Sequence, residues 1–345
     1  MKLSFRLLTA LAAIGGASTL LLGHQSAHSQ ITPRVVASYS VLCDLTEQIA
    51  QDTVDVTCLI EAGEDPHIYN ATPSDRRAIG FAHLVLYGGY GFEPNIIQMA
   101  ESTHGNTPLI AVSEVAVTEP LLGEAHDHGS HRNRDHGRYG HGHHHHGHDD
   151  HGEEGMSPDP HVWHDAENGI AIVRVIQEEL SVLSPENAEI YQANAEALIA
   201  QLTQLDSWIQ QQVATVPESQ RVLVTTHDAL GYYAEAYGIR IEAALESFST
   251  EARPSAADLR ELIDLVEDSN IPTVFIESTS NPGLIEAVSR ETDISISDEP
   301  LYADSLGEPG TPAGTYTGML MTNTCTIVTG LGGRCNEAAV QAFLD

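Results

Sequence analysis

Lysine is almost absent from this chain of 345 residues, since Lys2 is the only one. Beyond residue 29 the sequence holds 13 basic groups against 49 acidic groups, so this part carries a net charge of about −36 with histidine neutral. A field of that sign repels nucleic acid and anionic membrane surfaces and attracts cations. It also favours solubility in saline surroundings, where screening is strong. We therefore expect cations, and no nucleic acid, among the partners.

The chain also lacks an uninterrupted apolar run long enough for a membrane anchor. Leu7–Leu22 is apolar but is broken by two glycines, and it follows the positive charges of Lys2 and Arg6. Residues 27–29 fit a small-x-small cleavage site, which predicts a signal peptide over residues 1–29. No cysteine near that site could accept a lipid. We expect a soluble, exported protein without stable membrane insertion.

Cysteine is scarce as well. The four residues are Cys43, Cys58, Cys325 and Cys335, and their spacing contains no C-x-x-C pair, which disfavours a cysteine-rich zinc site. In an exported chain they permit three disulfide connectivities. Among these we favour the two local pairs, Cys43–Cys58 and Cys325–Cys335.

Histidine, by contrast, is concentrated between Gly123 and Gly155. In this segment only Ala125 and Tyr139 are appreciably apolar, so it cannot build a hydrophobic core. Neutral imidazole is a good ligand for zinc, copper and nickel. We interpret residues 123–155 as a flexible, disordered loop that collects metal ions at low affinity; a linker without function is the alternative. The segment holds eleven of the nineteen histidines: His126, His128, His131, His136, His141, His143, His144, His145, His146, His148 and His151.

Apolar runs alternate with helical segments in both halves of the chain, which predicts the α/β class with mostly parallel sheets. We place two similar α/β lobes at residues 30–183 and 217–345. Between them, residues 184–216 contain a predicted long helix, with Ser184 as N-cap and Pro185 as its first residue. At about 1.5 Å per residue it would be on the order of 45 Å long, enough to join two lobes; a helix within one domain is the alternative. Its apolar stripe is Tyr191, Ala195, Leu198, Leu202, Leu205 and Ile209.

Four motifs outside the histidine-rich loop carry a family resemblance. They are G-E-D-P-H-x-Y-x-x-T-P-S-D, D-P-H-x-W, T-H-D-A-L-G-Y-Y-A-E-A-Y-G-I and Y-A-D-S-L-G, in that order. The chain resembles the zinc and manganese substrate-binding proteins of bacterial ABC importers, and it is most similar to the ZnuA-type periplasmic zinc-binding proteins. The resemblance covers about residues 35–330. It implies one long rigid helix between the lobes and a metal site in the cleft.

The resemblance also implies four metal ligands: His67, His161, His227 and Asp304. Three neutral imidazoles with one carboxylate or water complete a tetrahedral zinc shell. In manganese-binding relatives the third position is typically a carboxylate, whereas here it is His227. A nitrogen-rich set favours zinc over the harder manganese ion, and we expect Zn²⁺ as the transported ligand. The affinity of this site for zinc would fall below about pH 6.5, where imidazole is protonated.

Glu64 and His164 are auxiliary candidates. Glu64, or a water, would be the fourth ligand if Asp304 is not one. His164 could supply a fifth nitrogen or a hydrogen bond to a ligand, although we favour an exposed surface position for it. His83 and His104 are also interpreted as surface residues. Because metal-bound imidazoles are usually oriented by carboxylates, Asp228 and Glu277 are candidates for that role.

These observations predict a monomeric periplasmic receptor that captures Zn²⁺ with high affinity and delivers it to an ABC-type permease. A manganese receptor of the same type and a periplasmic zinc buffer or chaperone are the alternatives. A zinc hydrolase is less favoured, because the sequence has neither H-E-x-x-H nor G-x-S-x-G. We therefore do not expect an enzyme.

Overall fold

The computed structural model describes residues 32–103, 105–124, 156–246, 248–250, 255–269 and 271–338. The predicted signal peptide, His104 and the eleven histidines of the histidine-rich loop lie outside the described residues. Within the described ranges, no helix has the length and apolarity needed to cross a membrane.

One parallel sheet forms the centre of the first lobe. Its strands are β1 (Arg34–Tyr39), β2 (Asp55–Ile60), β3 (Leu84–Tyr87) and β4 (Leu109–Ala111), and they pair in the order β2–β1–β3–β4. The central strand β1 is buried along nearly its whole length. A parallel strand covered on both faces has a continuous apolar sequence, as in Val35-Val36-Ala37.

Five helices follow the strands of this lobe: α1 (Ser40–Ala50), α2 (Pro73–Phe81), α3 (Pro94–Ser102), α4 (Val112–Ala116) and α5 (Ala166–Leu183). A reciprocal capping box begins α2. The Thr72 hydroxyl accepts from the Asp75 N–H at 3.3 Å, and the Asp75 carboxylate accepts from the Thr72 N–H at 2.6 Å. The cap fixes the end of the loop that carries His67.

A short antiparallel hairpin lies at the base of the histidine-rich loop. Its strands are β5 (Leu122–Glu124) and β6 (Met156–Pro158), with Leu122 opposite Pro158. The second strand ends directly before Asp159, so the hairpin places the D-P-H segment.

The predicted long helix is α6 (Ala188–Val213), with 26 residues and a length of about 39 Å. All six residues of its predicted apolar stripe are buried. Its start differs from the prediction. Pro185–Asn187 forms a 3-10 turn, and the Ser184 hydroxyl makes no capping hydrogen bond; its oxygen is buried without a partner among the described residues.

The second lobe contains two parallel strand pairs. β7 (Val222–His227) pairs with β8 (Arg240–Glu246), and β9 (Thr273–Val274) pairs with β10 (Ser295–Ile296). The Phe275 N–H donates to the Val224 carbonyl at 3.1 Å, which joins the two pairs. The helices are α7 (Gly231–Tyr237), α8 (Ala256–Ser269), α9 (Pro282–Thr292) and α10 (Tyr316–Gly330), of which α10 packs against α6.

Two apolar cores result from this arrangement. The larger one extends through the first lobe, α6 and α10, and the smaller one belongs to the second lobe. Strand β7 contributes to both, because Leu223 lies in the larger core whereas Val222 and Val224 lie in the smaller. Successive side chains of a strand point to opposite faces, which explains this division.

Both favoured disulfides are present. Cys43–Cys58 joins α1 to β2, and Cys325–Cys335 joins α10 to the segment that follows it. The predicted α/β class, with mostly parallel sheets and one long helix, is likewise confirmed.

Candidate metal centre

The four side chains that the family motifs indicate meet between the two lobes. His67 and His161 come from loops of the first lobe; His227 is the last residue of β7, and Asp304 lies in the loop before α10. All four are buried, with exposures of 4% for His67 and 0% for the other three. One potential ligand atom from each lies within 4.8 Å of those of the others.

One carboxylate oxygen faces all three imidazoles. Asp304 Oδ1 lies 3.5 Å from His67 Nε2, and 3.2 Å from the Nε2 atoms of both His161 and His227. The Nε2 atoms of His67 and His161 are 3.2 Å apart. Zinc bonds of about 2.0–2.1 Å in tetrahedral geometry separate neighbouring ligand atoms by about 3.3–3.4 Å. The spacing therefore fits a small tetrahedral cation.

Carboxylates hold the other ring nitrogen of two imidazoles. Asp159 Oδ1 accepts from His161 Nδ1 at 2.8 Å, and the Glu277 carboxylate contacts His227 Nδ1. These contacts leave both Nε2 atoms directed at the common centre. Of the two sequence candidates Glu277 takes this role and Asp228 does not. Asp159 was missed, although its position two residues before His161 could have indicated it.

The second oxygen of Asp304 is also engaged. The Thr279 hydroxyl donates to Asp304 Oδ2 at 2.7 Å. Thr279 and Glu277 belong to one short turn, so this turn orients both candidate ligands of the second lobe. No local sequence pattern indicated the role of Thr279, because its partner lies 25 residues further along the chain.

Aromatic rings pack around the imidazoles. The Phe92 ring centroid lies 5.0 Å from that of His67 and 5.6 Å from that of His161. On another side, the ring centroid of Phe248 lies 6.4 Å from that of His161. The same phenyl ring lies so close to Gly123 that a Cβ atom at position 123 would clash with it. Gly123 belongs to β5, so the base of the histidine-rich loop adjoins the centre.

Burial and charge act in opposite directions on the titration of the site. Burial disfavours imidazolium, but the hydrogen bonds that His161 donates to Asp159 and Asp304 outweigh burial and raise the pKa of His161. Burial is likewise outweighed at His227, where the charges of Asp304 and Glu277 raise the pKa well above the ordinary value. At His67 burial prevails and lowers the pKa. Burial of Asp304 is outweighed by the neighbouring histidines, chiefly His227, which hold its pKa well below the ordinary value.

The auxiliary candidates lie elsewhere. Glu64 is exposed, accepts from the Glu61 N–H at 2.9 Å and is not part of the four-residue cluster. The surface position favoured for His164 is wrong: this residue is fully buried, and burial together with the charge of His161 lowers its pKa to about 3. The burial of His164 results from packing in the folded protein, which the polar residues beside it in the sequence do not reveal. His83 is exposed, as predicted.

The fold and the site define a protein in which, among the described residues, three histidines and one aspartate form a buried candidate cation site between two α/β lobes. The chain belongs to the ZnuA family, because the model of that family, the zinc-uptake complex component A periplasmic, matches residues 35–330.

Some relatives are named for manganese and others for zinc, and this chain is similar to both kinds over most of their length. The manganese-binding lipoprotein MntA of Halalkalibacterium halodurans is 33% identical over 298 residues, which cover 86% of this chain and 88% of the relative. The zinc-binding protein TroA of Treponema pallidum is 31% identical over 315 residues, 90% and 92% of the two chains. The periplasmic zinc-binding protein TroA of that organism also has a similar solved structure, with a TM-score of 0.75 at 30% identity, covering 88% of this chain and all of that one.

Proposed function

We propose that this chain captures Zn²⁺ in the periplasm and delivers it to the permease of an ABC importer. The observation that carries the proposal is the buried cluster of three imidazole nitrogens and one carboxylate oxygen. Membership of the zinc-uptake family supports capture for transport. A relative from Streptococcus mitis, 28% identical, bears the name manganese ABC transporter substrate-binding lipoprotein PsaA, which supports delivery to a permease.

Zinc is the cargo that the donor set favours. Zinc accepts nitrogen donors and four-coordinate geometry readily, whereas manganese prefers a harder, oxygen-rich shell of higher coordination number. His227 is decisive here, since a carboxylate in its place would balance the set between nitrogen and oxygen. The manganese names among the relatives make a manganese receptor the second candidate.

Burial supports a receptor over a hydrolase. A catalytic zinc keeps an open coordination position for water or substrate. Here the four candidate ligands are at most 4% exposed, and Asp304 would take the fourth coordination position. An enclosed ion suits capture, and its release then requires that the lobes or the Asp304 loop move when the receptor docks on the permease.

The histidine-rich loop is proposed as an accessory collector. Its hairpin base, β5–β6, adjoins the centre through the contact between Gly123 and Phe248. Weak sites that exchange quickly would raise the local zinc concentration beside the buried site. If deletion of residues 124–154 leaves uptake unchanged at scarce zinc, this part of the proposal fails.

Radioactive zinc uptake tests the main proposal. Cells that lack the chain should lose uptake at scarce zinc, and the wild-type chain should restore it. A chain with His67→Ala and His161→Ala should not restore it, whereas the exposed His83→Ala control should. Dependence of manganese uptake, but not zinc uptake, on the chain would instead establish the manganese receptor.

A further inference from the structure

His164 makes one hydrogen bond and leaves one ring nitrogen unpaired. Its Nε2 lies 2.8 Å from the carbonyl oxygen of Ala303. Because a carbonyl only accepts, Nε2 carries the proton and Nδ1 carries the lone pair. Nδ1 is buried and has no partner among the described residues. An unpaired buried nitrogen destabilises a fold, so the side chain is not explained by packing alone.

The accepting carbonyl belongs to the peptide unit that leads into Asp304. Trp163 Nε1 donates to the same oxygen at 3.3 Å, so two adjacent side chains of the first lobe hold one peptide plane of the second. The orientation of that plane sets the direction in which the Asp304 side chain leaves the backbone. The Thr279 hydroxyl then fixes the far end of the same side chain.

The donors sit on the segment that also supplies a ligand. His161 immediately precedes the 3-10 turn Val162–His164, which carries both Trp163 and His164. A further hydrogen bond holds this 3-10 turn in place, because the Tyr316 hydroxyl donates to the Trp163 carbonyl at 2.6 Å. One short segment therefore fixes His161 and Asp304 relative to each other across the lobes.

We propose that His164 is a positioning residue, which acts through the Ala303 carbonyl to hold Asp304 at the distance that the zinc shell requires. This inference rests on the proposed zinc site. It assigns His164 no bond to the ion. The unpaired Nδ1 is then a loss of stability that is tolerated for the sake of the site, as is common where function constrains a buried residue.

A packing role and a positioning role of His164 predict different zinc affinities for His164→Leu. Leucine fills similar space and removes the unpaired nitrogen, so a packing role predicts unchanged or better stability with unchanged zinc binding. A positioning role predicts unchanged or better stability of the metal-free protein together with weaker zinc binding. His164→Gln keeps an N–H donor near the place of Nε2 and should restore binding.

The experiment measures zinc affinity by competition with a chromophoric chelator, the zinc dissociation rate, and the melting temperature of the metal-free protein. All variants lack residues 124–154, so that the loop adds no sites. Ser184→Ala is the matched control, because it also removes a buried polar atom without a partner among the described residues, at the opposite end of α5 from His164. Trp163→Phe removes the weaker donor.

We expect His164→Leu to weaken zinc binding by about 10–100-fold through faster dissociation, as loss of a residue that supports a metal ligand typically does. We expect His164→Gln to lie within about threefold of wild type, and Ser184→Ala to leave affinity unchanged. Zinc affinity of His164→Leu within about twofold of wild type would overturn the inference, as would equal losses in the Leu and Gln variants. If the Leu variant does not fold, His164→Met, which also removes the donor to the Ala303 carbonyl, takes its place, and zinc affinity within about twofold of wild type in that variant would overturn the inference. Absence of tight zinc binding by the wild type would instead refute the proposed function.

Discussion

Among single residues, Asp304 is the centre of the electrostatic network. Its Oδ1 faces three Nε2 atoms, and its Oδ2 accepts from Thr279. In the metal-free protein, protons on His161 and His227 balance the charge of Asp304, Asp159 and Glu277, which explains the raised histidine pKa values. A divalent cation replaces those protons at the same centre.

Zinc binding should therefore release protons and weaken as the pH falls. In water, protons compete for imidazole mainly below about pH 6.5. Because the pKa values of His161 and His227 lie above 6.5, protons compete with zinc for these two side chains already above that pH. We expect zinc affinity to decline as the pH is lowered over the range above 6.5, and to decline further below it. Calorimetry in buffers of different ionisation heat measures the protons released. An affinity that is constant over this range would contradict the assignment.

The hydroxyl of Thr279 should matter for zinc retention. Thr279→Val keeps the shape and removes the donor to Asp304 Oδ2, so the carboxylate can rotate away from the three imidazoles. We expect a loss of roughly tenfold or more in zinc affinity, measured by chelator competition. Thr279→Ser should retain affinity.

A matched control for Thr279 exists elsewhere in the fold. The Thr46 hydroxyl is buried and unpaired among the described residues, so Thr46→Val should leave zinc affinity unchanged. Equal effects at both positions would show that the loss reflects packing rather than the contact to Asp304.

Individual site residues differ in how far sequence reveals them. His67, His161, His227 and Asp304 stand in motifs with distinctive spacing, so their convergence could be predicted. The burial of His164 could not, because it depends on the Ala303 carbonyl 139 residues away. Thr279 acts through a contact 25 residues away that leaves no periodicity in the sequence, whereas Asp159, two residues before His161, could have been recognised.

At the scale of elements, each of the two disulfides crosslinks neighbouring segments of the chain. Cys43 and Cys58 are 15 residues apart, and their bond ties α1 to its neighbour β2. Replacing both by alanine should lower the free energy of unfolding by about 3 kcal/mol, because a loop of that length gains entropy in the unfolded chain. Chemical denaturation under oxidising conditions measures it. The same free energy in the variant and the wild type would contradict this expectation.

Elements with a clear periodicity were predictable, and others were not. The apolar stripe of α6 follows three- and four-residue steps and gave the helix almost to its ends. Helix α10 is buried on most of its surface, including Tyr316, Leu320 and Val328, so it shows no polar face for a pattern to detect. The predicted start of α6 was wrong in detail, because a 3-10 turn stands where Ser184 was predicted to cap the helix.

For the whole molecule, the excess of negative charge is the dominant property. With a net charge of about −36 beyond residue 29, the folded chain repels itself. Added salt shortens the screening length from about 8 Å at physiological strength to about 3 Å at 1 M. The melting temperature of the metal-free protein should therefore rise with sodium chloride. A melting temperature that does not rise would show that the acidic groups are dispersed or paired well enough to be harmless.

The identity of the cargo in the cell is the central claim at this scale. Affinity in vitro does not decide it, because most nitrogen-containing sites bind zinc more tightly than manganese. Metal analysis of the chain without residues 124–154, purified from the organism that makes it after growth with both metals, decides it directly. We expect about one zinc per chain, and none when His67 and His161 are replaced by alanine. Manganese at that stoichiometry, or zinc retained by the double variant, would contradict it.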